Sequence, residues 1–105
     1  DLGYEAHDWE DLDLPRPLEN SAESPKFLSE MLESVEKIVP AVKAILAADE
    51  LPIILGGDHS IALPTFSAIQ SHFHYKNEEI GLLWFDAHAD MNTPETSPSQ
   101  NIHGM

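Results

Sequence analysis

The sequence predicts an α/β fold built on a mainly parallel sheet, and three observations carry that expectation. Residues 51–55 form a short, wholly apolar run that stops at Gly56-Gly57, and residues 80–85 form a second run that stops at Asp86. Apolar residues at helical spacing fill the stretch before the first run, and a further helical stretch lies between the two. Runs of this length and character suit strands covered by helices on both faces, as in parallel sheets.

Taken in order, residues 1–26 are acidic and proline-bearing, with Pro15, Pro17 and Pro25, and read as loop apart from a short strand near residues 2–4. Ser24 followed by Pro25 has the form of an N-cap and first helical position. Phe27, Leu28, Met31, Leu32, Val35, Ile38, Val39, Val42, Ile45 and Leu46 then recur at helical spacing, which predicts an amphipathic helix ending near Ala48. Pro40 lies inside it, where a missing N–H and a ring clash cost about 3 kcal/mol, so a kink or a division into two helices is expected. A second helix is expected over residues 60–73, and a polar turn over 76–79 leads into the second apolar run. The result is a βαβ unit whose right-handed connection makes its strands parallel and puts both strand ends, residues 56–60 and 86–90, on one edge of the sheet. Residues 91–105 are polar, aperiodic and expected to form loop.

Composition narrows the function. Nineteen acidic residues against five basic ones give a formal charge of −14 over 105 residues, which repels nucleic acid and anionic lipid. The 42 % of apolar residues, gathered into periodic runs, argue for a folded chain over a disordered acidic one. The absence of cysteine excludes disulfides and thiolate chemistry and fits a reducing compartment. No apolar run approaches the roughly 18 residues of a membrane span, and no signal peptide is visible, so a cytoplasmic location is expected. The chain opens at Asp1 and stops at Met105 within a predicted loop, and is expected to be a fragment.

The chemistry gathers where the runs end. Asp86, His88 and Asp90 alternate with Ala87 and Ala89, so an extended backbone would send all three side chains from one face. Three ionisable groups at the end of a buried strand need a compensating cation. Oxygen and imidazole ligands without sulfur favour Mn²⁺ or another divalent ion of borderline or hard character, and leave Zn²⁺ open. His59, within Gly56-Gly57-Asp58-His59-Ser60, reaches the same crevice by the topology of open parallel sheets. Asp58 is placed to orient an imidazole or the loop.

These strings, residues 56–60 followed by Trp84-Phe85-Asp86-Ala87-His88-Ala89-Asp90, resemble the two N-terminal signature motifs of the ureohydrolases: arginases, agmatinases and formimidoylglutamases. The continuation over residues 91–104, with its Asn92-Thr93-Pro94 string, resembles the arginase branch. The resemblance implies a three-layer α/β/α fold, of which residues 1–105 would be the N-terminal portion of a single domain. It implies two Mn²⁺ ions per complete site, one held by His59, Asp86 and Asp90 and the other by His88 and the bridging Asp86. The remaining ligands of the family, in a later Asp-x-Asp motif, do not occur in this chain. The activity implied is hydrolysis of L-arginine to L-ornithine and urea by a metal-bridging hydroxide. Asp90 and His103 are the expected catalytic residues, His103 as a proton shuttle suited to a side chain titrating near pH 6.5. Asn92, Ser97, Ser99 and Asn101 match positions contacting the substrate's α-carboxylate or α-amino group, and a homotrimer or homohexamer is the implied assembly. Gln100 departs from the family pattern, which has glycine there, and would be strained if the backbone needs a positive φ.

His72 and His74 read as structural residues in the last turn of the second helix. Trp9, Trp84, Phe66 and Phe73 read as packing residues. The rival readings are another ureohydrolase, such as an agmatinase or formimidoylglutamase, whose substrate lacks the α-carboxylate or presents a different tail, a single-zinc amide hydrolase of the deacetylase type, and, for an isolated fragment, a non-catalytic metal-binding module.

Overall fold

The computed structural model describes residues 3–17 and 24–105. Two helices form its framework: α1, Leu28–Ala47, and α2, Ala62–Tyr75. Single 3₁₀ turns over His59–Ile61 and Ile102–Gly104 flank the site. Ile38 and Val42 of α1 are buried against Ala68 of α2. Leu14, Val39, Leu46, Ile54, Ile61 and Ile69 close around them. Pro64 is fully buried in the first turn of α2, where a missing N–H breaks no helical bond.

α1 corrects the expected start. It starts at Leu28, with Phe27 in the left-handed region at φ 62° as the cap residue, rather than at Pro25. Ser24 does not cap it, because its hydroxyl donates to Gln100 Oε1 at 2.5 Å and Lys26 N donates to Gln100 O at 2.8 Å. The Ser24–Pro25 bond is cis, and residues 24–26 belong to the loop they bind. Pro40 does not divide the helix. Pro40 and Glu36, whose carbonyl it leaves without a helical donor, both lie on the exposed side, where water can take the missing bond.

The predicted sheet does not form among the described residues. One isolated parallel bridge, Lys26 to Asn101, is present, and no ladder joins residues 51–55 to residues 80–85. The first run alternates as a strand would: Pro52 and Ile54 turn toward the helices, while Leu51, Ile53 and Leu55 face outward. Leu55 is 88 % exposed and Phe85 is 94 % exposed. A parallel strand satisfies its backbone only between neighbours, and helices cover just one side of the first run here. The short strand expected near residues 2–4 begins outside the described residues, and Gly3 and Tyr4 carry no strand.

The N-terminal segment is tied down by a contact that packing arguments did not anticipate. Trp9 Nε1 donates to Glu50 Oε2 at 2.6 Å, and His7 Nδ1 lies 3.1 Å from Glu50 Oε1. The indole bond, then the imidazole, holds the Glu50 carboxyl below the usual glutamate range. His72 and His74 occupy the last turn of α2, as expected for structural histidines.

Candidate metal centre

Residues 56–60 turn sharply out of the first apolar run. Gly56 and Gly57 take φ values of 144° and 41°, which glycine adopts at little cost. Asp58 then caps the helical segment that leads into α2: its Oδ1 accepts from Ser60 N at 3.0 Å and from Ser60 Oγ at 2.6 Å. That cap fixes His59 at the edge of the cleft. After the second run, His88 N donates to Asp86 Oδ1 at 2.8 Å and the chain bends. Asp90 sits at φ 46°, a left-handed conformation that aspartate tolerates better than most residues.

These turns bring His59, Asp86 and Asp90 together, each offering one ligand atom within 4.8 Å of the others. His59 Nδ1 lies 3.2 Å from Asp86 Oδ2, and His59 Nε2 lies 3.2 Å from Asp90 Oδ2. The second approach is not a hydrogen bond, since Nε2 is engaged by the carbonyl oxygen of His103. Asp90 Oδ2 is therefore a buried oxygen with no hydrogen-bond partner, the only such side-chain atom among the described residues. An unpaired buried carboxylate oxygen is costly, and two carboxylates and an imidazole around one point are a donor set that suits a divalent cation. The residues present fit such an ion.

The electrostatics agree. The His103 carbonyl, opposed by partial burial and reinforced by Asp90 and Asp86, raises the pKa of His59. The amide of His88, opposed by burial and aided by His59, lowers that of Asp86. Burial pushes Asp58 up, but the Ser60 hydroxyl, the Ser60 amide and His103 outweigh it and leave Asp58 lowered.

His88 stands apart from this group. Its side chain is 81 % exposed, and it touches the cluster only through Nδ1, 3.4 Å from Asp86 Oδ1. His103 lies beside the cluster: its ring meets that of His59 edge-on at 5.3 Å, and its Nδ1 is 2.9 Å from Asp58 Oδ2. A cleft of about 470 Å³ opens over His59, His88, Asp90, Asn92 and His103. Trp84, expected only to pack, contributes an edge contact to His59 at 6.0 Å.

Of the four positions matched to substrate contact, Asn92 lines that cleft and Asn101 lines a separate cavity of about 230 Å³ behind His103. Ser97 is buried, its Oγ accepting from Gln100 N at 3.0 Å, and Ser99 Oγ accepts from Asn101 N at 3.2 Å. Both hydroxyls therefore shape the loop here. Gln100 has the positive φ its position was suspected to need, 61°. Its side chain offsets the strain: Nε2 donates to Pro94 O at 2.7 Å and to Ser97 O at 2.8 Å, while Oε1 accepts from Ser24.

A carboxylate–imidazole group beneath an open cleft, with a further histidine at its rim, makes this a candidate site for a divalent cation. Residues 2–105 match the Arginase family, and the chain belongs to it. It is 40 % identical over 105 residues to an arginase of Bacillus subtilis and 46 % identical over 78 residues to an arginase of Bacillus caldovelox. Those matches cover 100 % and 74 % of this chain, and 34 % and 25 % of the two relatives. The crystal structure of the B. subtilis arginase superposes with a TM-score of 0.84 at 40 % identity, over 99 % of this chain and 34 % of that one. The chain thus spans about a third of the length of the relatives it matches. That structural neighbour supports the α/β class, although the described residues form no sheet of their own.

Proposed function

We propose that residues 1–105 are the N-terminal portion of an arginase domain that hydrolyses L-arginine to L-ornithine and urea with two Mn²⁺ ions. The observation that carries the reading is the unpartnered Asp90 Oδ2, buried against His59 and Asp86 in a chain of this family. His59, Asp86 and Asp90 would hold one ion, and His88, by a rotation toward the cleft, would join Asp86 on the other. Such a pair of ions supplies an acidified water and positive charge, which a resonance-stabilised guanidinium carbon needs at neutral pH. Asn92, which lines the cleft, would donate to the substrate's α-carboxylate, with Asn101, Ser97 and Ser99 shaping the loop that presents it. His103 would pass a proton to the departing amine. No described helix is long and apolar enough to cross a membrane. A cytoplasmic homotrimer or homohexamer is the assembly we propose for the full-length protein.

The test is hydrolysis by manganese-loaded full-length protein, with urea release measured on L-arginine and on agmatine. A loop built to bind the α-carboxylate should favour arginine by about 10⁴–10⁵ in kcat/KM, because agmatine leaves its polar groups unpaired. Equal turnover of agmatine would reassign the substrate, and a stoichiometry fixed at one Zn²⁺ would point to the deacetylase-type alternative. The outward His88 favours a second statement about the 105-residue chain alone: with three gathered ligand groups it should take up one ion.

A further inference from the structure

Asp58 has both carboxylate oxygens committed, and each to a different task. Oδ1 is held by the amide and hydroxyl of Ser60, 3.0 and 2.6 Å away, at the start of the helical segment. Oδ2 faces His103 Nδ1 at 2.9 Å, across 45 positions of sequence. Asp58 adjoins His59 but is not among the three gathered ligand groups. An ionised carboxylate only accepts hydrogen bonds, so the proton between the two groups resides on His103 Nδ1. Neutral imidazole carries one N–H, and Nε2 is then the nitrogen with the free lone pair. Because Oδ1 is pinned by the cap, Oδ2 cannot swing away from the ring.

We infer that Asp58 is the positioning residue for His103: it fixes the imidazole as the Nδ1–H tautomer and so makes Nε2 the atom that takes up and returns a proton. This rests on the proposed role of His103 as shuttle and names the device that would keep the shuttle in register. The proton taken up at Nε2 is the one later released from Nε2, so Nδ1–H and the Asp58 carboxylate are unchanged over a cycle. A general base or acid held in the wrong tautomer presents an N–H where a lone pair is needed, which is how orienting carboxylates act in other hydrolases.

The test uses full-length protein labelled with ¹⁵N-histidine. Long-range ¹H–¹⁵N spectra of His103, identified by its absence from His103→Asn, should show a protonated Nδ1 and an unprotonated Nε2 above the pKa of the ring. Asp58→Asn keeps the cap through its amide oxygen but turns an NH₂ donor toward Nδ1, and should move the proton to Nε2. Its kcat for arginine should fall about 10–100-fold with KM and manganese content unchanged. In a His103→Asn background the same substitution should have no further effect on kcat. Asp58→Ser retains a capping hydroxyl but cannot reach the ring, and serves if the asparagine variant folds poorly. A wild-type His103 protonated at Nε2 would overturn the inference whether or not the protein hydrolyses arginine. So would an Asp58 effect that persists in full without His103. A protein with the expected tautomer and no arginine hydrolysis would instead overturn the proposed function alone.

Discussion

The loops at residues 56–60 and 86–90 and the loop at residues 92–101 are built from similar short polar residues, yet they treat their own polar atoms in opposite ways. The first pair leaves a carboxylate oxygen of Asp90 buried and unpartnered and brings His59 and Asp86 against it. The later loop satisfies itself: Ser97 N donates to Thr93 O at 2.9 Å, Ser97 Oγ accepts from Gln100 N, and the Gln100 amide spans Pro94 and Ser97. A region that leaves polar atoms unpaired is completed by what binds to it. A region that pairs them holds its shape before anything arrives.

That contrast can be broken most forcefully at Asp90. Asp90→Asn tolerates the left-handed backbone, removes one ligand charge, and should abolish manganese retention in the full-length protein, read by metal analysis after dialysis. In metal-free protein the same change should raise thermal stability, by up to about 1–3 kcal/mol, because a buried charge without a hydrogen bond is gone. Loss of stability there would mean that the carboxylate is satisfied without metal. In the self-satisfied loop a substitution should act the other way. Gln100→Gly relieves left-handed strain worth about 1–2 kcal/mol but deletes three side-chain hydrogen bonds of about 0.5–1.5 kcal/mol each. The net expectation is destabilisation by about 1 kcal/mol in urea titration, with manganese content unaltered. A more stable glycine variant would show that the staple contributes little.

The smallest effect is expected at the N-terminal strap. Glu50 has a pKa lowered by its bonds to Trp9 and His7, so its contribution is present above the ordinary glutamate pKa of 4.5 and is lost as pH falls through the lowered folded value. Trp9 fluorescence in a Trp84→Phe background should therefore be flat from neutrality to about pH 5 and change below about 4.5. Glu50→Gln should remove the transition. A transition that survives in Glu50→Gln would assign the strap to another group.

How much of this was legible in the sequence differs from residue to residue. The two helices follow from periodicity, a local pattern, whereas the gathering of His59 with Asp86 and Asp90, expected from a parallel topology, occurs here through the turns at residues 56–60 and 86–90 without a paired sheet among the described residues. The alternation of Asp86, His88 and Asp90 misplaced His88, because a period of two holds only while the backbone stays extended, and it bends after Asp86. The start of α1 was misread because Ser24 is claimed by Gln100, 76 positions away. Trp9 and His7 gave no sign of Glu50, since nothing in a single sequence links residues 41 and 43 positions apart. Asp58 was readable as an orienting residue but not its target, and His103 entered only through family resemblance.

The spacing of these contacts also orders events during synthesis. The α1–α2 core joins residues 38 and 42 to residue 68, whereas the Asp58–His103 bond closes a loop of 45 positions and the Ser24–Gln100 bond one of 76. Loop-closure entropy grows with length, and a chain emerging at roughly 5–20 residues per second exposes residues 100–103 seconds after α1. The helix pair can therefore assemble on the ribosome well before His103 is available. In the interval Asp58 already caps the 3₁₀ turn His59–Ile61 through Ser60, so the socket for the imidazole is built before the imidazole is made.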